Sequence, residues 1–176
     1  MKIFLNPGHG GNDPGACSPS GTKEAEITAK ICSILAERLK ANYYPYRIYQ
    51  QKYSYLEISK EENKSGATCF ISVHCNASTN RTAKGVEVLY CTGSTKGQQL
   101  AEIMQKCLIE GTGLTNRGVK PRNDLHVLKR TKSPAILIET AFISNPDEEK
   151  LLKESPEIFA AAIWEAIKIF KAKGLI

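Results

Sequence analysis

The feature that most constrains the fold is the run Ala135-Ile136-Leu137-Ile138, entered through Pro134 and followed at once by Glu139. An apolar run with no polar alternation belongs to a strand covered on both faces, as in the middle of a parallel sheet. Ile3 to Leu5 and Thr68 to Val73 read as strands too, with Tyr46 to Tyr49 and Gly85 to Tyr90 as further ones. Helical spacing fills the intervals. Lys23 to Lys40 sets Ile27, Ile31, Ile34, Leu35 and Leu39 at helical spacing, with Thr22 expected as its N-cap. Leu56 to Ser65 and Thr95 to Glu110 predict two more helices, the latter stopped by Gly111 and Gly113. A basic loop follows, and His126 is expected in a short strand with Val127 and Leu128. Asn145-Pro146 and Ser155-Pro156 each set a capping residue before a proline, which predicts two closing helices.

This alternation predicts an α/β fold: a single-domain sandwich, residues 1–176, with a mostly parallel central sheet flanked by helices. The chain's 176 residues, 41% of them hydrophobic, suffice for one well-buried core. No apolar run approaches the roughly 20 residues needed to cross a bilayer, so no membrane is expected as a partner. Met1-Lys2-Ile3 leads straight into a strand without a signal-peptide pattern, so the chain is expected to carry no export signal of its own. Its net charge of +6 favours polyanionic surroundings, for which nucleic acid and anionic cell wall both qualify. Nucleic acid is not expected: the basic residues are scattered apart from Lys129-Arg130-Thr131-Lys132, and no nucleic-acid-binding signature is present. The six cysteines form no C-x-x-C pair and read as free thiols, several of them packing as small hydrophobes.

In open α/β sheets ligands bind beyond the carboxyl ends of the strands. His9 lies just past the first strand in Asn6-Pro7-Gly8-His9-Gly10-Gly11, a loop whose glycines let the imidazole be presented unshielded. His74 closes the run Phe70 to Val73, and Glu139 closes Ala135 to Ile138. Glu24 occupies the first turn of the helix after the His9 loop, where the helix dipole favours a carboxylate. Singly, each histidine has an ordinary role as a hydrogen-bonded structural residue. Glu139 is harder to place that way, because a carboxylate after four buried apolar residues is costly unless it is paired, hydrated in a cleft or near a cation. Two histidines, a carboxylate and a second carboxylate nearby make up a catalytic zinc site with its general base.

Several blocks carry a resemblance: Asn6-Pro-Gly-His-Gly-Gly-Asn-Asp-Pro-Gly-Ala16, Lys23-Glu24, Phe70-Ile-Ser-Val-His-Cys-Asn-Ala77, Arg117-Gly-Val-Lys120 and Pro134-Ala-Ile-Leu-Ile-Glu-Thr-Ala-Phe-Ile-Ser-Asn145. In order and across nearly the whole chain, they resemble the zinc-dependent N-acetylmuramoyl-L-alanine amidases of the Amidase_3 type. The resemblance implies zinc on His9, Glu24 and His74, Glu139 as catalytic carboxylate, an α/β fold with the site at strand ends, and bacterial peptidoglycan as the partner. The sequence departs from that family at Asn6, where an aspartate is usual, at Tyr49-Gln50 in place of Thr-Arg, and at Lys60 in place of an arginine. Asn76, Arg117, Lys120, Asn123 and His126 are candidate substrate contacts, although the basic ones also suit a solvated face. His126 matches no ligand block and stays outside the expected metal shell. Two other readings remain open at this point, a zinc peptidase acting on the stem peptide and a non-catalytic wall-binding module with structural zinc. The expected setting is the extracytoplasmic wall, reached as a phage or prophage endolysin or as part of a secreted autolysin, with the protein acting as a monomer.

Overall fold

The computed structural model describes residues 1–51 and 54–176. In chain order the elements are β1 (Ile3–Pro7), α1 (Glu24–Ala41), β2 (Tyr46–Ile48), α2 (Tyr55–Ser65), β3 (Cys69–Asn76), β4 (Val86–Cys91), α3 (Thr95–Thr112), β5 (Asn116–Arg122), α4 (His126–Arg130), β6 (Ala135–Phe142), α5 (Pro146–Glu154) and α6 (Pro156–Ala172). Among the described residues the strands form one sheet of order β2-β1-β3-β6-β4-β5. All neighbours are parallel except β4, which runs antiparallel to β6.

The apolar runs account for this order. β1, β3, β6 and β4 carry the longest buried stretches and lie side by side between the edge strands β2 and β5, covered on both faces. On one face α1, α3 and α6 bury Ile31, Leu35, Leu100, Met104, Ile163 and Phe170 against Ile3, Ile71 and Ile138. On the other a smaller core of Phe4, Phe70, Leu137, Ile58, Val127 and Leu128 lies beneath α2 and α4. That layer has one helix of 11 residues and one of five, so it covers less of the sheet than the opposite one. Asn6, Ser72, His74 and Glu139 lie two or four positions along their strands from Phe4, Phe70 and Leu137, and so share the sparsely covered face.

Four local expectations are corrected. The helix starting near Lys23 takes Lys23 itself at the N-cap with no side-chain cap bond, because Thr22 donates its hydroxyl to Glu149 instead. Ser155 likewise makes no side-chain cap bond to α6, whereas Asn145 accepts from the amides of Asp147 and Glu148 as expected. Part of the basic loop is the edge strand β5, paired to β4 alone; its half-exposed residues show no apolar alternation, and Pro121 is tolerated at an edge. His126 opens a helical turn rather than a strand. The amides of Leu128 and Lys129 bond back to Leu125, which tucks Val127 and Leu128 under the sheet.

Candidate active site

β1 ends at Pro7, and the chain turns sharply so that His9 sits in the left-handed region at φ 61°. The Gly8 amide donates to the Val73 carbonyl at 2.8 Å and Thr28 Oγ1 to the Gly8 carbonyl at 2.9 Å, which anchors the loop between β3 and α1. A non-glycine residue in that region is uncommon and is held only where its surroundings enforce it. β3 delivers His74 immediately before a register irregularity between His74 and Asn76. α1 begins at Glu24, which lies buried, 3% exposed, between the two imidazoles.

The contacts are close. Glu24 Oε2 lies 3.1 Å from His9 Nε2 and accepts the Ala16 amide at 2.9 Å. Its Oε1 lies 3.0 Å from His74 Nδ1 and accepts the Cys75 amide at 2.9 Å. One donor atom each from His9, Glu24 and His74 lies within 4.8 Å of the other two. The backbone makes room for this. A Cβ at Gly8 would fall 2.5 Å from His74 Cε1, and one at Gly15 would fall 2.6 Å from His9 Cδ2 and 2.7 Å from Glu24 Oε2. The two glycines are therefore required by the close approach of the ligating side chains.

The electrostatics follow from this packing. The hydrogen bond that His9 donates to Glu24 pushes its imidazole up to about 9 against the opposing effect of burial, with Asp13 adding to the rise. Burial would raise the Glu24 carboxyl, but the bonds from His74 and His9 hold it well below the usual carboxylate range. A carboxylate and two imidazoles this close, each bearing a lone pair when deprotonated, form a donor set suited to a divalent cation such as zinc.

Glu139 lies mid-strand, because β6 continues through Phe142, and faces His74 in register across the β3–β6 pair. It is half-buried, and its Oε2 is enclosed with no hydrogen-bond partner among the described residues. Burial, together with the charges of Glu24 and Glu87, pushes its carboxyl up to about 8. Such a group is poised to exchange a proton near neutral pH.

Two partners of this site carried no separate signal in the sequence. Asp13 Oδ2 bonds His9 Nδ1 at 2.9 Å and accepts Gln51 Nε2 at 2.8 Å, while Oδ1 accepts the Gly15 amide at 3.0 Å. Asp13 thereby supplies a carboxylate beside His9. Asn6 cannot, since its amide is spent on the Tyr49 and Pro7 carbonyls and its Oδ1 on Ser72. A carboxylate on the far nitrogen fixes the tautomer of a ligating histidine and raises its basicity. Asp13→Asn is therefore expected to weaken metal retention by roughly 10- to 100-fold in competition with a chelator. Unchanged affinity would show that Asp13 serves the loop alone.

The second is Glu87, directly opposite Glu139 on β4. Three of the expected substrate contacts converge on it: Asn76 Nδ2 at 2.8 Å, Arg117 Nε at 3.3 Å and the Lys120 ammonium. Arg117 also lies over the Phe142 ring. The other two expected contacts do not meet Glu87. His126, with Nε2 at 3.0 Å from Ser59 Oγ and its ring edge-on to Tyr55, helps line a cavity of about 300 Å³ that it shares with His9, His74, Asp13 and Gln51. Asn123 is exposed in the turn before α4 and does not line that cavity.

A domain of this architecture is shared by solved amidase structures. The crystal structure of an N-acetylmuramoyl-L-alanine amidase from Clostridium difficile 630 superposes with a TM-score of 0.90 at 28% identity, covering 97% of this chain and 96% of that one. The catalytic domain of the CD27L endolysin matches with a TM-score of 0.79 at 28% identity, covering 95% of this chain and 96% of that one. Among curated sequences, a probable cell wall amidase LytH of Staphylococcus epidermidis is 32% identical over 170 residues, which is 94% of this chain and 57% of the relative. The N-acetylmuramoyl-L-alanine amidase LytC of Bacillus subtilis is 32% identical over 158 residues, 87% of this chain and 32% of that protein. This chain thus spans about half the length of the first of these relatives and a third of the second. The N-acetylmuramoyl-L-alanine amidase family model, Amidase_3, matches residues 3–169, and the chain belongs to that family.

Proposed function

We propose that the protein is a zinc-dependent N-acetylmuramoyl-L-alanine amidase that hydrolyses the amide between the lactyl group of N-acetylmuramic acid and the L-alanine of the stem peptide in bacterial peptidoglycan. The observation that carries the reading is the juxtaposition of the His9–Glu24–His74 cluster with the enclosed, unpartnered oxygen of Glu139. His9, Glu24 and His74 would hold the metal. A zinc ion held there would supply Lewis acidity, lowering the proton affinity of a water and polarising the scissile carbonyl.

The chain's own residues do the remaining work. Glu139 takes the proton from the attacking water, which its raised proton affinity favours. It then delivers that proton to the departing alanine nitrogen, since an unprotonated amine anion is a prohibitive leaving group. Glu24, held as carboxylate by two imidazoles, ligates rather than shuttles protons. Asp13 and Gln51 keep His9 oriented. Residues 1–176 act as one catalytic domain on the wall, and no helix among the described residues is long and apolar enough to cross a membrane.

A suspension of purified peptidoglycan tests the metal requirement. Clearing by the protein is expected to stop in a chelator and to return with about one equivalent of zinc per chain. Binding without clearing, even after zinc is restored, would favour a non-catalytic wall-binding module.

A further inference from the structure

The sheet order gives the two flanks of the catalytic line opposite chemistry. His9, His74 and Glu139 follow one another across β1, β3 and β6. Between α2 and α4, against His9 and His74 but not Glu139, lies the cavity of Gln51, Tyr55 and His126, whose charged lining residues other than His9 and His74 are the carboxylates Asp13 and Asp124. Arg122 is paired to Asp124 through both guanidinium bonds, at 2.8 and 2.6 Å. Beyond Glu139 the balance reverses: the single carboxylate of Glu87 faces both Arg117 and Lys120. That group carries one uncompensated positive charge. The Lys120 side chain is 44% exposed against 11% for Glu87, so its ammonium stands on the open side of the pair. Among the described residues the ammonium makes only its bond to Glu87, leaving donors free.

The proposed substrate is equally asymmetric. Once the lactyl carboxyl is amidated, the glycan strand is uncharged, and the ionisable groups belong to the stem peptide. The first beyond the scissile bond is the α-carboxyl of the second stem residue. Glu139 and Glu87 are in register on neighbouring strands, so Lys120 at Glu87 reaches to about one strand spacing, roughly 4.8 Å, from the strand of the catalytic carboxylate. Two extended residues span at most about 7 Å, which is enough to bring that carboxyl to the ammonium.

Resting on the amidase reading, we propose that the stem peptide runs over β4 and β5 with the carboxylate of its second residue received by Lys120, while the uncharged muramoyl sugar occupies the Tyr55–His126 flank. Arg117, stacked on Phe142 and bonded to Glu87, fixes the carboxylate against which Lys120 is set. Lys120 is thus a specificity residue, and amidation of the second stem residue removes its partner.

The test compares soluble glycan-strand fragments that carry either a free carboxylate or a carboxamide at the second stem residue. The wild-type protein is expected to favour the carboxylate form by roughly tenfold in kcat/KM, mainly through KM, as one charge-assisted hydrogen bond warrants. Lys120→Gln brings the ratio to about one by slowing the carboxylate form alone, and Lys120→Arg restores the preference. Equal rates on the two fragments by the wild-type protein overturn the proposal without any variant, as does a preference that survives Lys120→Gln. Failure to cut either fragment at the muramoyl–alanine bond overturns the amidase reading itself.

Discussion

Glu139→Gln is expected to lower turnover of peptidoglycan by roughly 10²- to 10⁴-fold while leaving metal binding intact. The separation follows from geometry, since Glu139 belongs to β6 and is not among the three residues whose donor atoms cluster. The same substitution is expected to stabilise the metal-free fold. Glu139 has its proton affinity raised from the ordinary 4.5 to about 8, so the native chain keeps a proton that the unfolded chain releases. Stability of the metal-free wild-type protein therefore drains away as pH rises from about 4.5 to about 8, whereas the glutamine variant has no such loss. Thermal melts across that window, with metal removed, should show a gap in favour of the variant that widens toward the alkaline end. An active Glu139→Gln protein, or one that has lost its metal, would remove Glu139 from the proton-transfer role.

His74→Ala is expected to abolish both metal binding and activity. It removes one of three donors, and it leaves Glu24 buried with a single imidazole partner and the Cys75 and Ala16 amides. Loss of one partner from a buried charged group costs about 3–5 kcal/mol where the pair is fully buried, and the partial exposure of the histidines reduces that figure here. Metal loading must also expel the proton that Glu24 helps His9 retain up to about 9. Affinity is therefore expected to fall as pH drops below that value, with proton release on binding measurable by calorimetry in buffers of different ionisation enthalpy. A variant that binds zinc normally without His74 would place the metal elsewhere.

The central strands and long helices were legible because their burial is written as unbroken apolar runs or helical spacing. Ala135 to Ile138 and the Ile31–Leu35–Leu39 face appear in the structure as they read in the sequence. His9, His74 and Glu139 are brought together because β1, β3 and β6 are adjacent parallel strands, and Glu24 joins them from the first turn of α1. What escaped were features that depend on partners far along the chain. Thr22 looks like a cap until Glu149, on α5, is seen to take its hydroxyl. β5 has no apolar face because it is an edge with one neighbour. The five-residue turn at His126 is too short for any periodicity to distinguish it from a strand. Asp13 and Gln51 meet only because the His9 loop folds back beside the end of β2, and Glu87 becomes the hub of three polar residues only through antiparallel pairing of β4 with β6. No spacing within the sequence encodes either meeting.

The most direct measurement is mass spectrometry of the new termini released from purified peptidoglycan, with and without a chelator. Chelator-sensitive release of intact stem peptides bearing free L-alanine N-termini, with matching free muramoyl carboxyls, is the expected result. New termini within the stem peptide, with the muramoyl–alanine amide intact, would contradict it and make the site that of a peptidase.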